Sequence, residues 1–394
     1  MKKITDDIYW IGTKDTETKL FENMFELPFG VMYHAFFIDD EKTAVIDCVK
    51  NITEDGFISA VQERLNGRDL DYIVLNHMEP DHSLAVTRLV ELYPDARILC
   101  SAKAVPMLKN FYGIEENVQA VKEGETLSLG KNTLTWVMVP MVHWPESMMT
   151  YAVEQKVLFS TDAFGGFGIF NSIFADEVTS EHRESETVRY FANIVGKVSS
   201  IIDKTLGRVL GMNLPIEVIC PSHGLIWRKE GVGKIVNEYI DLSQHRTKPK
   251  ITIAYSTMYG NNEQSANILF EELKKNQVDV KMYNLSETEK SFVIADIWQS
   301  EVVLLGAPAY YGGVHPKMRE LLMKLEEGAL MNHTVGVFGN GAWSGGGVRG
   351  IETFLKENKV DMLEKSVEIM GRPTEEDRAA LIELAKDAAA ALNH

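Results

Sequence analysis

Histidines and carboxylates cluster in the segment 76–82, which reads Asn-His-Met-Glu-Pro-Asp-His and directly follows an apolar run. His77, Glu79 and Asp81 occupy alternating positions, so in an extended backbone their side chains would project to one side. Imidazole and carboxylate groups that converge in this way are potential metal ligands. Since one histidine beside a carboxylate is more often a surface or capping feature, a metal site here would need further ligands from elsewhere in the chain.

Three later residues supply the same chemistry at the same kind of place. His143, Asp162 and His223 each follow an apolar, strand-like run, at the point where the run gives way to a loop. Alone, each is typical of a buried histidine or a turn cap. Together with segment 76–82 they predict a metal site assembled at the ends of several strands.

A second group of candidate residues begins where the apolar run 251–255 gives way to a polar, glycine-containing loop that opens a helix. Backbone N–H groups and hydroxyls in such a loop are directed at a phosphate. The loop contains Ser256, Thr257, Met258, Tyr259, Gly260, Asn261 and Asn262.

Two further loops at the ends of later strand-like runs combine glycines, which let the backbone approach a ring, with aromatic residues that can stack on it. The first contains Pro308, Ala309, Tyr310, Tyr311, Gly312 and Gly313. The second contains Asn340, Gly341, Ala342, Trp343, Ser344 and Gly345. A GxGxxG sequence after the first strand is absent, so these loops do not carry a dinucleotide fingerprint.

The pattern of predicted strands and helices that must position these residues changes along the chain. The first two-thirds mixes a hairpin at 35–48 with alternating strands and helices, including a long helix predicted over 184–206, which indicates a layered α/β sandwich. A polar, proline-containing stretch at 247–250 predicts a boundary, with domains at 1–248 and 249–394. Beyond it, strict strand–helix alternation predicts a doubly wound parallel sheet, which binds ligands at the carboxyl ends of its strands.

Composition narrows the class of protein. The net charge of −17 argues against a nucleic-acid partner, because there is no Lys/Arg-rich stripe to pair with phosphates. The chain has no apolar run of about 18 residues and no signal-peptide core, so we expect a cytoplasmic protein without a membrane span. Cys48, Cys100 and Cys220 each end an apolar run and are expected to be buried free thiols.

The order HxExDH, His, Asp and a final Ser-His-Gly resembles the metallo-β-lactamase fold, an αββα sandwich, in its flavodiiron variant. Hydrolases of that fold carry HxHxDH, whereas this chain has Glu79 in place of the second histidine, which makes the site richer in oxygen donors. The resemblance implies one iron held by His77, Glu79 and His143, a second held by Asp81 and His223, and Asp162 bridging both. His82 matches a position that ligates iron in some members and turns away in others.

The three later loops resemble those of the flavodoxin family, which binds FMN, and Trp343 is the residue expected to flank the flavin. Asn261, Asn262 and Ala309 depart from the Ser or Thr that this family often has. Together the two halves resemble a flavodiiron protein, which implies FMN and two irons as cofactors and reduction of O₂ to water, of NO to N₂O, or of both. Tyr190 is either a residue of the distal iron pocket or a core aromatic.

The resemblance also implies a head-to-tail homodimer or a dimer of dimers. Because three cysteines cannot form the paired CxxC motifs of a rubredoxin module, the electron donor is expected to be separate, either a rubredoxin or a reduced flavin-type coenzyme. The stretch 20–33 lacks a histidine that some members place near the iron pocket, and His34 stands where the family tends to have Asn. Two alternatives stay open: a zinc-dependent hydrolase fused to an FMN domain, and a non-catalytic electron carrier that uses the flavodoxin-like half.

Overall fold

The computed structural model describes residues 1–326 and 328–392, and the chain divides into two compact units, Met1–Ile240 and Asp241–His394. This division lies within the helix Glu230–Ser243, whereas the predicted boundary after residue 248 lies at the start of the strand Lys248–Tyr255. In the described part of the chain, no helix combines the length and the apolar character needed to cross a membrane.

The first unit is built on two facing β-sheets. In the first sheet the strands beside Tyr72–Leu75 run parallel to it, and Tyr72–Leu75 is itself buried at every position, as expected for a strand covered on both faces. The spatial order of the strands is Lys2–Lys3, Ile8–Trp10, Phe36–Ile38, Ala44–Ile46, Tyr72–Leu75, Arg97–Ser101 and Val118–Val121. The predicted hairpin at 35–48 is confirmed by the antiparallel pairing of Phe36–Ile38 with Ala44–Ile46.

The second sheet contains the strands that precede Asp162 and His223. Val157–Phe159 pairs in parallel with Val218–Cys220, so both strands end at the same edge of the sheet. The ring of Phe159 lies 5.0 Å from that of Phe36 in the first sheet, within the core between the two layers. The order is Thr126–Ser128, Thr133–Met138, Met148–Ala152, Val157–Phe159, Val218–Cys220 and Trp227–Arg228.

Two small antiparallel ribbons complete the strands of this unit: Thr13–Asp15 with Val31–Tyr33, and Leu20–Phe21 with Phe25–Glu26. The α-helices are Glu54–Leu65, Pro80–Ser83, Val86–Leu92, Ala104–Tyr112, His182–Tyr190, Ser199–Gly211 and Glu230–Ser243. Short 3₁₀ turns cover Asn51–Thr53, Ala175–Glu177 and Gly196–Val198. Cys48, Cys100 and Cys220 are free and buried, as expected.

The prediction of one continuous helix over 184–206 is wrong. After His182–Tyr190 the chain widens into a π-helical turn at Phe191–Val195, tightens into the 3₁₀ turn Gly196–Val198, and resumes as Ser199–Gly211. A π turn inserts one residue into the helical repeat, and Gly196 is a poor helix former, so the spacing of apolar residues continues while the hydrogen-bond ladder does not.

The second unit is a parallel sheet in the order Asp279–Asn284, Lys248–Tyr255, Ser300–Tyr310, Thr334–Gly341 and Val367–Met370. The strand order reverses between Lys248–Tyr255 and Ser300–Tyr310, which places the loops that follow these strands beside each other at a topological switch point. The short strand Asp361–Met362 also pairs with Thr334–Gly341. The helices are Asn261–Lys275, Lys290–Gln299, Pro316–Leu325, Gly347–Glu357 and Glu375–Ala390.

The expected loop after residue 307 is shorter than predicted, because the strand continues through Tyr310 and then turns back. Ala309 pairs with Val314 in a tight hairpin closed by Tyr311 and Gly312. Both turn residues have positive φ, +49° and +74°, as a two-residue hairpin turn requires.

Candidate functional site

Five segments of the first unit bring the predicted metal ligands together. His77 and Glu79 lie in the loop after Tyr72–Leu75, while Asp81 and His82 lie in the helical turn Pro80–Ser83 that follows it. The expectation that His77, Glu79 and Asp81 share one extended backbone is therefore wrong for Asp81, because Pro80 starts a helical turn instead of prolonging the extended segment. The turn separates Asp81 from Glu79 and places it in a second group of ligands.

The first group consists of His77, Glu79, His143 and Asp162. Nε2 of His77 lies 3.2 Å from Glu79 Oε2 and 3.2 Å from Asp162 Oδ2. Nε2 of His143 lies 3.2 Å from the same two oxygen atoms. Four side chains thus direct one atom each at a common centre.

The second group consists of Asp81, His82 and His223, with the other oxygen of Asp162 beside it. Nε2 of His82 lies 3.3 Å from Asp81 Oδ1 and 3.2 Å from Asp162 Oδ1. Nε2 of His223 lies 3.3 Å from Asp81 Oδ2 and 3.6 Å from Asp162 Oδ1. Asp162 therefore offers Oδ2 to the first group and Oδ1 to the second, the arrangement of a bridging carboxylate.

These distances fit two metal ions. Nitrogen and oxygen atoms that sit about 2.0–2.2 Å from one ion lie about 3.0–3.6 Å from one another, depending on coordination geometry. Many of the converging atoms are buried and lack a hydrogen-bond partner among the described residues, which would be costly unless an ion satisfied them. They are Asp81 Oδ1, His82 Nε2, His143 Nε2, Asp162 Oδ1, Asp162 Oδ2 and His223 Nε2.

Contacts on the far side of two ligands fix their orientation. Nδ1 of His77 lies 2.7 Å from Oε1 of the buried Glu146, which also accepts the backbone N–H of Met78 at 2.9 Å. Nδ1 of His223 donates to the carbonyl of Met32 at 2.8 Å. Each bond places the ring proton on Nδ1 and leaves Nε2 free to ligate.

The buried charges of the site influence one another strongly. Burial lowers the pKa of His77, but hydrogen bonds to Glu146 and Glu79 outweigh it and raise the pKa well above the usual value. For His82 and His143 the carboxylates likewise overcome burial and raise the pKa to about 9. Burial alone would raise the pKa of Asp162, yet the surrounding histidines hold it well below its usual value. The buried carboxylates are thus stabilised by nearby positive charge, which protons on the histidines or metal cations can supply.

An open cavity of about 340 Å³ leads to the ligands Glu79 and Asp81. Glu22, at the tip of the small hairpin before Phe25–Glu26, lines this cavity, and so does Lys50. The surrounding protein and the negative charge of Glu79 raise the pKa of Glu22 to about 7, although part of the side chain is exposed. A carboxyl group therefore stands at the entrance within the stretch 20–33, where the sequence lacks a histidine.

Tyr190 lies at the second group of ligands. Its ring centroid is 5.5 Å from that of His223. The residue is fully buried, and its hydroxyl has no hydrogen-bond partner among the described residues. Burial raises the pKa of Tyr190 well above its usual value, so the hydroxyl keeps its proton. Tyr190 is therefore a buried aromatic residue that also lies beside the second group of ligands.

The predicted phosphate loop lies at the switch point of the second unit. Gly260, with φ of +87°, precedes the helix Asn261–Lys275, and its N–H donates to the Thr257 hydroxyl at 3.1 Å. Asn262 donates to the Ser256 carbonyl at 2.7 Å. The buried hydroxyl of Ser256 has no partner among the described residues and is available to a phosphate oxygen.

The two aromatic loops follow the next two strands of the same sheet, Ser300–Tyr310 beside Lys248–Tyr255 and then Thr334–Gly341. Tyr311 is 92% exposed and Trp343 is 90% exposed, so each presents nearly its whole ring for stacking. Gly346 packs against the Tyr311 hairpin so closely that a Cβ would lie 2.3 Å from the Gly312 carbonyl. A polar cradle beside exposed aromatic rings suits a ligand with a phosphate and a flat ring system, such as FMN.

Sequence reasoning missed Glu146, Glu22 and the pair Asp47–Asn76. The buried Asp47 carboxylate accepts the Asn76 backbone N–H at 2.7 Å and its side-chain amide at 2.9 Å, which anchors the start of the ligand loop. Burial raises the pKa of Asp47 to about 6 against the lowering effect of these bonds. Glu146, Glu22 and Asp47 each lie far in sequence from segment 76–82, and neither a spacing motif nor a periodicity marks them.

Comparison with known proteins agrees with a metal-binding first unit and a flavin-binding second unit. Residues 31–224 match the family model described as "ODP family beta lactamase", and residues 253–383 match "Flavodoxin". A nitric oxide reductase of Moorella thermoacetica is 36% identical over 391 residues, covering 98% of each chain.

Two solved structures cover nearly the whole chain. The rubredoxin oxygen:oxidoreductase of Desulfovibrio gigas superposes with a TM-score of 0.94 at 29% identity, covering 99% of this chain and 98% of that one. The flavodiiron protein of Giardia intestinalis gives a TM-score of 0.94 at 26% identity, covering 99% and 96%.

Proposed function

Since this chain belongs to the flavodiiron protein family, an oxidoreductase family whose cofactors are FMN and a di-iron centre, we propose that it reduces nitric oxide to nitrous oxide. Two NO molecules, two electrons and two protons then give one N₂O and one water. The observation that carries the proposal is the Asp162 carboxylate, which offers one oxygen to each of two ligand groups. Reduction of O₂ to water is the second candidate, because the D. gigas neighbour is named for that activity.

We assign the ligands from the geometry of the two groups. One iron would be held by His77, Glu79 and His143, and the other by Asp81, His82 and His223, with Asp162 shared. The placement of His82 Nε2 beside Asp81 and Asp162 favours ligation over the alternative in which this histidine turns away. When bound, the irons supply electrons and two adjacent positions for the substrate.

The chain's own residues prepare the pocket for this chemistry. Glu146 and the Met32 carbonyl hold two imidazole rings in the tautomer that ligates. Tyr190 offers a protonated, otherwise unpartnered hydroxyl beside His223, and we assign it the role of hydrogen-bond donor to the substrate. Removing this donor should slow turnover without removing iron.

FMN is assigned to the three loops at the switch point of the second unit. Ser256, Thr257 and the backbone before Asn261–Lys275 would hold the phosphate, and Trp343 and Tyr311 would flank the ring system. The electron donor is expected to be a separate rubredoxin or reduced flavin-type coenzyme. A head-to-tail homodimer or dimer of dimers, and a cytoplasmic location, stay predictions.

The two alternative functions make different predictions. A zinc hydrolase fused to an FMN domain would contain zinc even when the protein is made with iron available; Glu79 in the first group argues against it. A carrier using the flavodoxin-like half would reoxidise its flavin at an unchanged rate in an Asp162→Asn or His143→Ala variant. We expect both variants to keep FMN and to lose rapid gas reduction.

The test is gas consumption by anaerobically purified, fully reduced protein supplied with a regenerating electron donor. Aliquots receive NO or O₂, and both gases are followed with electrodes. Fast loss of NO supports the proposal, and comparable rates for the two gases assign a dual activity. Fast loss of O₂ with slow loss of NO would move the second candidate to first place. Consumption of neither gas by protein that contains iron and FMN would refute the reductase function.

A further inference from the structure

A small apolar cavity lies in the first unit, separate from the polar entrance beside Glu22. It is bounded by the helix Ser199–Gly211 on one side and by the second sheet on the other, and its volume is about 40 Å³. Ile202 and Leu206 line it from the helix, and Leu158 and Ile219 line it from adjacent strands. Leu158 and Ile219 are register partners, so both point away from the inter-sheet core and toward the helix.

The inner end of this cavity touches the backbone of the metal centre. Val142 and Ala163 line it, and they are joined by peptide bonds to the ligands His143 and Asp162. Both residues are nearly fully buried, at 2% and 3% exposure. At the outer end Leu210 also lines the cavity and is 48% exposed. The cavity therefore extends from a position near the surface to the ligand loops.

The lining excludes most occupants. Among the described residues that line the cavity, Thr205 is the one with a polar side chain. A buried water needs two to four polar partners, and apolar cavities of proteins stay dry and take up xenon instead. A cavity needs about 10–15 Å³ to hold one water-sized molecule, so 40 Å³ admits a diatomic molecule and is too small for a peptide, nucleotide or lipid chain.

We propose that this cavity binds the apolar diatomic gas that the enzyme consumes and passes it to the metal centre along Val142 and Ala163. The inference rests on the proposed function and adds a second, dry route to that site. Protons and water can use the polar entrance lined by Glu22 and Lys50, whereas NO or O₂ can dissolve in the apolar cavity. Separate routes keep the gas concentration high beside the site without admitting water from that side.

The first test needs neither activity nor a variant. Crystals of the FMN- and iron-loaded protein are pressurised with xenon, and the anomalous difference map is calculated. We expect a xenon peak between Ile202 and Ile219. A map without density there would overturn the proposal, whether or not xenon occupies other sites at that pressure. The result does not depend on whether the protein reduces a gas, so it is distinct from failure of the proposed function.

The second test fills the cavity from its partly exposed side. Val209 lines the cavity on the same helix, and a Val209→Phe substitution places the larger side chain inside. Lys204→Phe, at an exposed position of that helix, is the matched control. Iron and FMN contents and melting temperatures are measured for both variants, so that loss of the fold is recognised.

We expect Val209→Phe to abolish the xenon peak and to raise the gas concentration at half-maximal rate about fivefold, with the rate at saturating gas unchanged. Lys204→Phe should behave as the unaltered protein. Equal half-maximal concentrations in both variants would refute the delivery route. If the unaltered protein consumed neither gas while xenon bound, the proposed function would fail and the cavity would remain an apolar gas site.

Discussion

The contact between Glu146 and His77 gives the sharpest prediction about the metal centre. Burial raises the pKa of Glu146, but the hydrogen bond to His77 outweighs it and the pKa is lowered, so the residue is a carboxylate. Glu146→Gln keeps the shape of the side chain, and an amide oxygen in place of Oε1 still accepts from His77 Nδ1 and Met78 N. What the substitution removes is the negative charge on the acceptor.

The magnitude follows from that loss. Hydrogen bonds to charged groups contribute about 1.5–3 kcal/mol and neutral ones about 0.5–1.5 kcal/mol, so the difference is about 1–1.5 kcal/mol. Since about 1.4 kcal/mol is a factor of ten in an equilibrium constant, iron should bind to the first group about tenfold more weakly. Glu146→Ala removes the oxygen at 2.7 Å and leaves the buried Nδ1 of His77 with the more distant Ser147 hydroxyl, at 3.5 Å, as its acceptor, so a loss of up to about a hundredfold is expected.

The assay is anaerobic competition for iron(II) against a chelator of known affinity, with FMN content as an internal reference. Glu116→Gln, at an exposed position, is the matched control and should bind iron as the unaltered protein does. If Glu146→Gln retained full affinity while the control behaved as stated, the negative charge of Glu146 would not strengthen metal binding through His77, and the reasoning on this contact would be refuted.

Three further predictions concern the supports of the two units. His34 accepts the indole N–H of Trp10 at Nδ1 (2.7 Å) and donates from Nε2 to the Gly224 carbonyl (2.9 Å), and burial lowers the pKa of His34 to about 3. Because that pKa lies below the value of about 6.5 in the unfolded chain, the unfolded chain binds more protons, and the free energy of unfolding decreases as pH drops from about 6.5 to about 3. Urea unfolding at several pH values should show a smaller decrease for His34→Gln. An equal decrease in the variant and the unaltered protein would contradict the assignment. Gly224 has φ of +76° and a Cβ there would lie 2.6 Å from a backbone nitrogen, so Gly224→Ala should displace the adjacent ligand loop and lower the iron content, with FMN retained; unchanged iron would argue against this strain. In the second unit, Lys250 donates to Asp296 at 2.7 Å with both side chains largely buried, and Lys281 and the Tyr283 hydroxyl donate to the same carboxylate. Asp296→Ala should cost about 3–5 kcal/mol of unfolding free energy, and the double variant with Lys250→Met should recover the part that comes from the unpaired Lys250 ammonium; equal losses in the single and double variants would refute the pairing.

The sequence predicted the second unit well because its central strands are buried on both faces. Runs such as 251–255 and 302–307 are continuously apolar, and each is followed by glycine-containing loops that mark a strand end. The observed strands Lys248–Tyr255 and Ser300–Tyr310 extend these runs. The extra residues at the end of the second strand depend on pairing with Val314 across a hairpin, which an apolar pattern does not reveal.

Ligand positions could also be found from the sequence, but their surroundings could not. His77, Glu79 and Asp162 stand at strand ends with the types and spacing that metal binding needs. The helical turn that carries Asp81 away from Glu79 depends on how Pro80 packs, and that is a tertiary effect. Likewise, Glu146 reaches His77 across 69 positions of the chain, and nothing local marks it as a partner.

Metal and flavin content per chain tests the central claim most directly. Protein made with iron available is purified without chelators, and its iron, zinc and FMN are measured beside those of an Asp162→Asn variant. The two ligand groups predict two irons per chain, and the three loops of the second unit predict one FMN. The variant should keep FMN while losing iron from at least one group. Zinc in place of iron, a single iron, or two irons retained by Asp162→Asn would contradict a pair of irons bridged by this carboxylate.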